Sequence, residues 1–193
     1  DIVEVCTSHT CNRCQTPVAG FDRRPTTAVP SWSGSHPATT IDRMSEENDA
    51  VLTERRGRVL LITLNRPDAM NAINGDLSEG LVAAIEELDT DNDLSAAVLT
   101  GNGRGFCSGM DLKAFAKGEN IGPFLEFIRA GSKKPLIGAV EGFALAGGLE
   151  MALTCDLLVA SEGAKLGISE VKVGLFAAGG GLQRLPSRVG YGT

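Results

Sequence analysis

Apolar residues recur along this chain in two alternating rhythms. Largely apolar runs at residues 59–64, 96–99, 135–140 and 156–160 read as strands, those at 96–99 and 135–140 as buried ones. Between them the spacing turns helical. Leu77, Leu81, Ile85 and Leu88 mark one face of a helix with acids on the other, and Asp76-Leu77-Ser78-Glu79 has capping-box spacing at its start. Residues 124–129 form a second helical stretch, stopped by Gly131 and Lys133-Lys134-Pro135. Another helix starts at Met110-Asp111-Leu112-Lys113. A further one, over 149–153, opens from the small-residue turn Ala146-Gly147-Gly148 and is followed by a short extended piece at 165–168. Pro67, with no N–H to give a ladder, ends the first strand. This alternation predicts an α/β layered fold.

Composition narrows the class. The 193 residues suffice for one domain with a real core, and 42% hydrophobic with 22% charged residues is ordinary for a globular protein. No apolar run approaches the length needed to span a membrane. A net charge of -6 argues against nucleic-acid binding. In residues 1–43 the charges cancel, Asp1, Glu4, Asp22 and Asp42 against Arg13, Arg23, Arg24 and Arg43, so the acidic surplus belongs to the remainder.

Both histidines, His9 and His36, also lie in that first segment. The body therefore has neither a Ser-His or Cys-His nucleophile pair nor histidine-ligated metal, and carboxylates and backbone donors must carry any chemistry. Residues 1–43 lack periodicity and are rich in Ser, Thr and Pro. Cys6, Cys11 and Cys14 around His9 hint at a zinc knuckle, but no second half-site follows. We read the segment as a disordered or spurious N-terminal extension ahead of Met44. A transit peptide is the weaker alternative, because of the segment's acids and prolines. Five cysteines without a disulfide framework fit a reducing, cytoplasmic setting. Cys107 and Cys155, inside apolar blocks, read as small buried hydrophobes. Gly101-Asn102-Gly103-Arg104-Gly105 satisfies no nucleotide-binding fingerprint.

The stretch from Gly142 to Glu170 holds the candidate chemistry. A glycine pair opening a helix leaves N–H groups free and aligned with the positive end of the helix dipole, a place for an anion. Glu150 sits in the first turn of that helix, and Glu170 follows the next extended piece.

Four blocks in order resemble the crotonase (enoyl-CoA hydratase/isomerase) superfamily. They are Ile62-Thr63-Leu64-Asn65-Arg66-Pro67 with Asn71-Ala72, Gly105-Phe106-Cys107-Ser108-Gly109-Met110-Asp111-Leu112, the Gly142–Glu170 stretch, and Gly179-Gly180-Gly181-Leu182-Gln183-Arg184-Leu185-Pro186. The resemblance implies a crotonase-like ββα spiral over residues 44–193, C-terminally incomplete because relatives carry further helices, and assembly as a homotrimer or dimer of trimers. It implies an acyl-CoA thioester substrate, no metal, and no cofactor beyond the CoA of the substrate. By the family pattern the backbone N–H groups of Met110 and Gly147 would form the oxyanion hole. Glu150 would orient and deprotonate water, and Glu170 would protonate the α-carbon. Arg66, Ser108, Asp111 and Lys113 would contact CoA.

Retention of both glutamates points to hydration of a 2-enoyl-CoA. The alternatives are a 3,2-enoyl-CoA isomerase, a dehydratase of a polar acyl-CoA, and a non-catalytic acyl-CoA-binding protein.

Overall fold

A computed structural model describes residues 50–190. The extension over 1–43 lies outside the described residues. The described part begins with a hairpin, β1 (Val51–Arg56) paired antiparallel to β2 (Val59–Leu64). Leu60, Ile62 and Leu64 point alternately into the core and are fully buried, as the two-residue period of a strand requires. β3 (Ala96–Gly101), β4 (Leu136–Val140) and β6 (Leu157–Ala160) extend this sheet in parallel, giving the order β1-β2-β3-β4-β6. A second, two-stranded parallel sheet pairs β5 (Phe143–Leu145) with β7 (Lys165–Gly167).

Five helices complete the described chain: α1 (Gly75–Thr90), α2 (Leu112–Ala116), α3 (Gly122–Ala130), α4 (Gly147–Thr154) and α5 (Gly181–Val189). α1 buries Leu77, Leu81, Ile85 and Leu88, the face expected from their spacing. Its start differs from the expected capping box. Asn74 is the N-cap, its Oδ1 accepting from Leu77 N at 3.1 Å, while Asp76 is exposed in the first turn. Asn74 lies two residues upstream and satisfies the free N–H first, so Asp76-x-x-Glu79 falls inside the helix. Met110 likewise precedes its helix: Asp111 caps α2, accepting from Lys113 N and Ala114 N at 3.2 Å each. At the start of α3, Asn120 Oδ1 accepts from Gly122 N at 2.9 Å, and Ser78, buried on α1, accepts from Phe124 N at 2.7 Å, locking the two helices together.

The strand order has a repeat within it. β4, β5 and α4 form one ββα turn, and β6, β7 and α5 form the next, with β4 beside β6 and β5 beside β7. One turn earlier, β3 is followed by Cys107, which bridges to Ala144 in β5 where a second strand would stand, and then by α2 and α3. Successive turns are stitched by Leu145 N to Cys107 O at 3.0 Å and Ala146 N to Gly167 O at 2.8 Å. This is the expected ββα spiral. Equivalent corners of three turns, after Cys107, after β5 and after β7, therefore stack in one column.

Candidate active site

The first corner is Ser108-Gly109-Met110. Ser108 N donates to Met70 O at 3.1 Å, and Gly109 O and Asp111 N bond Ile73 on either side of Met110, at 2.8 and 2.9 Å. Gly109 has φ +102, and a Cβ there would sit 2.9 Å from Ala146 Cβ, so only glycine fits. The Met110 N–H has no acceptor among the described residues.

The second corner is Ala146-Gly147-Gly148, the start of α4. Gly147 N–H has no acceptor among the described residues, and no side chain caps this helix. The two corners lie against each other. A Cβ on Gly147 would be 3.9 Å from Met110 N, one on Gly109 would be 3.4 Å from Gly147 N, and one on Gly148 would be 2.5 Å from Cys107 O. Close packing of small residues thus brings together two free N–H groups from different turns of the spiral. Ala146 makes the bend at φ +51, ψ -128, a left-handed conformation that a residue with a Cβ resists.

Glu150, in the first turn of α4, is 6% exposed, and Glu170, opening a 3-10 turn over Glu170–Val173 after β7, is 8% exposed. Their environments differ. Glu150 Oε1 accepts from Gly181 N at 3.0 Å, and Gly179 N–H adds to the hold. Neither oxygen of Glu170 meets a protein donor. Burial raises the pKa of Glu150 above the ordinary carboxylate range. The Gly181 and Gly179 N–H groups and the Arg184 charge pull against that rise, while the charge of Glu170 adds to it. The two carboxyls therefore sense each other inside one buried site. One is held in place with raised proton affinity, and the other is left bare of protein partners.

The remaining candidates gather near the start of α2. The Arg66 guanidinium donates to Ala72 O and pairs with Asp111 Oδ2 at 3.2 Å. Burial works against the Asp111 charge, but the Ala114 and Lys113 N–H groups and Arg66 outweigh it and hold the carboxyl below its ordinary pKa. Arg66 and Asp111 thus brace this loop, Ser108 is half-buried, and Lys113 is exposed on α2. Cys107 and Cys155 are buried free thiols, each pushed up to about 12 chiefly by burial.

Three contributors stood within the sequence blocks but were given no role there. Asn71, buried at φ +53, accepts from Arg66 N at 2.8 Å and donates to the carbonyls of Asn102 and Gly105 at 2.9 Å each, tying the first block to the second. The other two are the Gly179–Gly181 run, which wraps Glu150, and Arg184 beside it. The glycine run itself was the available signal. Among the described residues no cluster of His, Cys, Asp and Glu is disposed to hold a metal ion, and no helix is long and apolar enough to cross a membrane.

The family described as Enoyl-CoA hydratase/isomerase matches residues 54–193. The chain belongs to that family. It is 43% identical over 148 residues to a probable enoyl-CoA hydratase of Rhizobium meliloti (strain 1021), a match covering 74% of this chain and 58% of that one. The crystal structure of a probable enoyl-CoA hydratase/isomerase from Mycobacterium abscessus is similar with a TM-score of 0.70 at 58% identity, over 72% of this chain and 56% of that chain. That of carnitinyl-CoA hydratase from Mycobacterium avium is similar at 0.69 and 44% identity, over 73% and 57%. The fold of this enoyl-CoA hydratase/isomerase family member is thus the crotonase fold, and the chain spans somewhat over half the length of the relatives it matches.

Proposed function

We propose that this protein adds water reversibly across the double bond of a 2-enoyl-CoA thioester. The observation that carries the reading is the pairing of two buried carboxyls, Glu150 and Glu170, with one of them bare of protein partners. They share the spiral's column of corners with two free N–H groups.

Hydration places negative charge on the thioester oxygen as water attacks the β-carbon. The N–H groups of Met110 and Gly147 receive that charge; a donor of this kind is worth about 3–4 kcal/mol in the transition state. Glu150 orients the water and takes its proton, a role suited to a carboxyl whose proton affinity is already raised. The water oxygen, its proton passing to Glu150, bonds to the β-carbon, the π electrons move to the α-carbon and thioester oxygen, and the enolate collapses as Glu170 delivers a proton to the α-carbon. Dehydration is the same path reversed. Because the two groups interact, the protons belong to the pair.

Lys113, exposed at the start of α2, is the cation offered to CoA phosphate, while Arg66, Asp111 and Ser108 shape the loop beneath it. The reaction needs no cofactor beyond the CoA of the substrate. Assembly as a homotrimer or dimer of trimers accompanies this reading, supported by exposed apolar side chains at Val171, Val173, Leu175 and Phe176 just after Glu170. A cytoplasmic setting, which keeps free thiols reduced, completes it.

The test is incubation with 2-enoyl-CoAs of graded chain length and product identification by mass. Gain of one water supports hydration, and a shifted double bond at unchanged mass shows an isomerase. Calorimetric binding of CoA thioesters without turnover shows a binding protein. Glu150→Gln and Glu170→Gln should each lower hydration by about 10²–10⁴-fold with the fold intact.

A further inference from the structure

Arg184 has no direct part in the chemistry above, yet its contacts converge on Glu150. It lies half-buried in the first turn of α5. One arm of its guanidinium donates to Gly179 O at 2.9 Å, and the other reaches across to Ile128 O of α3 at 2.6 Å. The carbonyl it holds belongs to the loop whose N–H groups hold the Glu150 carboxyl, with Gly181 N at 3.0 Å from Oε1.

That loop is moulded to its neighbours with no room to spare. A Cβ on Gly179 would be 2.7 Å from Glu150 Oε2, one on Gly180 would be 2.7 Å from Arg184 Nη1, and one on Gly181 would be 3.1 Å from Glu150 Oε1. Three glycines in a row are the loosest backbone a chain can offer, so their N–H groups stay aimed at one carboxyl only if something else holds them. The two-armed fork of an arginine suits that task, since it bonds two carbonyls in a fixed geometry where a lysine offers a single point.

We propose that Arg184 is a positioning residue for Glu150, clamping the Gly179–Gly181 loop to α3 so that the loop's N–H groups hold the carboxyl in one orientation. The proposal rests on reading Glu150 as the group that activates water. The charge of Arg184 acts on the same carboxyl. Of the charged groups facing Glu150, Glu170 favours its protonated form and Arg184 its ionised form.

The experiment is carried out on the full chain with ¹³C-labelled glutamate carboxyls, the Glu150 signal being assigned by its loss in Glu150→Gln. Arg184→Met should raise the Glu150 titration midpoint above that of the wild type. It should also speed amide hydrogen exchange at Gly179 and Gly181 by about tenfold or more while leaving α1 unchanged, as expected for a local opening. Arg184→Lys keeps the charge and loses the fork, so it should bring the midpoint back toward the wild type without restoring amide protection. A folded Arg184→Met with wild-type protection at Gly179 and Gly181 overturns the proposal, whatever its midpoint. Should Arg184→Met not fold, Arg184→Lys decides alone: protection lost at Gly179 and Gly181 supports the clamp, and protection retained refutes it. None of these readouts needs turnover. Absence of hydration by the wild-type chain would count against the proposed function, whereas the clamp stands or falls on the exchange.

Discussion

Glu170→Met should make the protein more stable and nearly inactive at the same time. Glu170 is 8% exposed and neither of its carboxyl oxygens has a protein hydrogen bond. A buried polar group without a partner costs about 1–3 kcal/mol, and methionine replaces the carboxyl with a flexible apolar chain of similar length. The change also removes the charge that works against ionisation of Glu150. Both effects favour the folded state, so urea unfolding followed by circular dichroism should show a gain of about 1–3 kcal/mol. In a chain of this size that is a rise in melting temperature of about 2–4 °C per kcal/mol. Hydration of a short 2-enoyl-CoA should fall by about 10²–10⁴-fold. A stability gain traded against activity marks a group kept in place for chemistry. Loss of stability in Glu170→Met would refute the reasoning, because it would mean that the carboxyl is well satisfied in the folded protein and not held bare for substrate.

Three further outcomes follow from single residues. Glu150 has a folded pKa raised above the ordinary 4.5, so the folded state holds its proton more tightly than the unfolded chain does; its contribution to stability is full below pH 4.5 and is lost as pH rises through the folded value. Chemical unfolding at a series of pH values should therefore show wild type losing ground to Glu150→Gln as pH rises above 4.5, and a constant difference would contradict this. Ala146→Gly should stabilise the protein by about 1 kcal/mol, since it relieves a Cβ held at φ +51 and ψ -128; a thermal melt checks it, and a lower melting temperature would count against the strain. Cys107 and Cys155, with pKa values near 12, should resist iodoacetamide at pH 8 in the native protein and react after denaturation, as read by peptide mass mapping.

β2, β3 and β4 were legible because each carries an apolar run that buries alternate side chains in the core, and β6 was legible from its apolar run although Leu157 and Val159 are more than half exposed. Residues 59–64 coincide with β2, and 135–140 misses β4 only by Pro135, whose ring ends the ladder. β1 was not read as a strand because Val-Leu-Thr-Glu-Arg-Arg is apolar only at its start. Its conformation is imposed by pairing with β2 and by Arg55, which reaches Glu87 at 2.8 Å and Asp91 at 2.5 Å beside α1. β5 and β7 are three residues each, too short for a period to show, and only β7 was read, as the extended piece at 165–168. α5 opens from a glycine run and carries Pro186, so its local signals speak against the helix that its packing on α4 selects.

The site divides along the same line. Glu150 and its preceding glycines lie within one strand-turn-helix unit, so local sequence could suggest an anion-binding turn with an acid behind it. Whether that acid meets Glu170 depends on the pitch of the spiral, which carries β5 to β7 and stacks their ends. Glycines illustrate the limit most sharply, because one letter covers unlike physical demands. Gly163 has nothing within 4 Å of where a Cβ would stand, Gly148 faces a carbonyl oxygen at 2.5 Å, and Gly179 faces the Glu150 carboxyl at 2.7 Å. In sequence all three look like turn residues. Only the last two are set by what the turn must approach, and that neighbour arrives from another turn of the spiral, 41 residues away for Gly148 and Cys107 and 29 for Gly179 and Glu150. A substitution series across the three positions would therefore rank them by contact and not by local conformation. Alanine should be neutral at 163, and should cost about 1–3 kcal/mol by overpacking at 148.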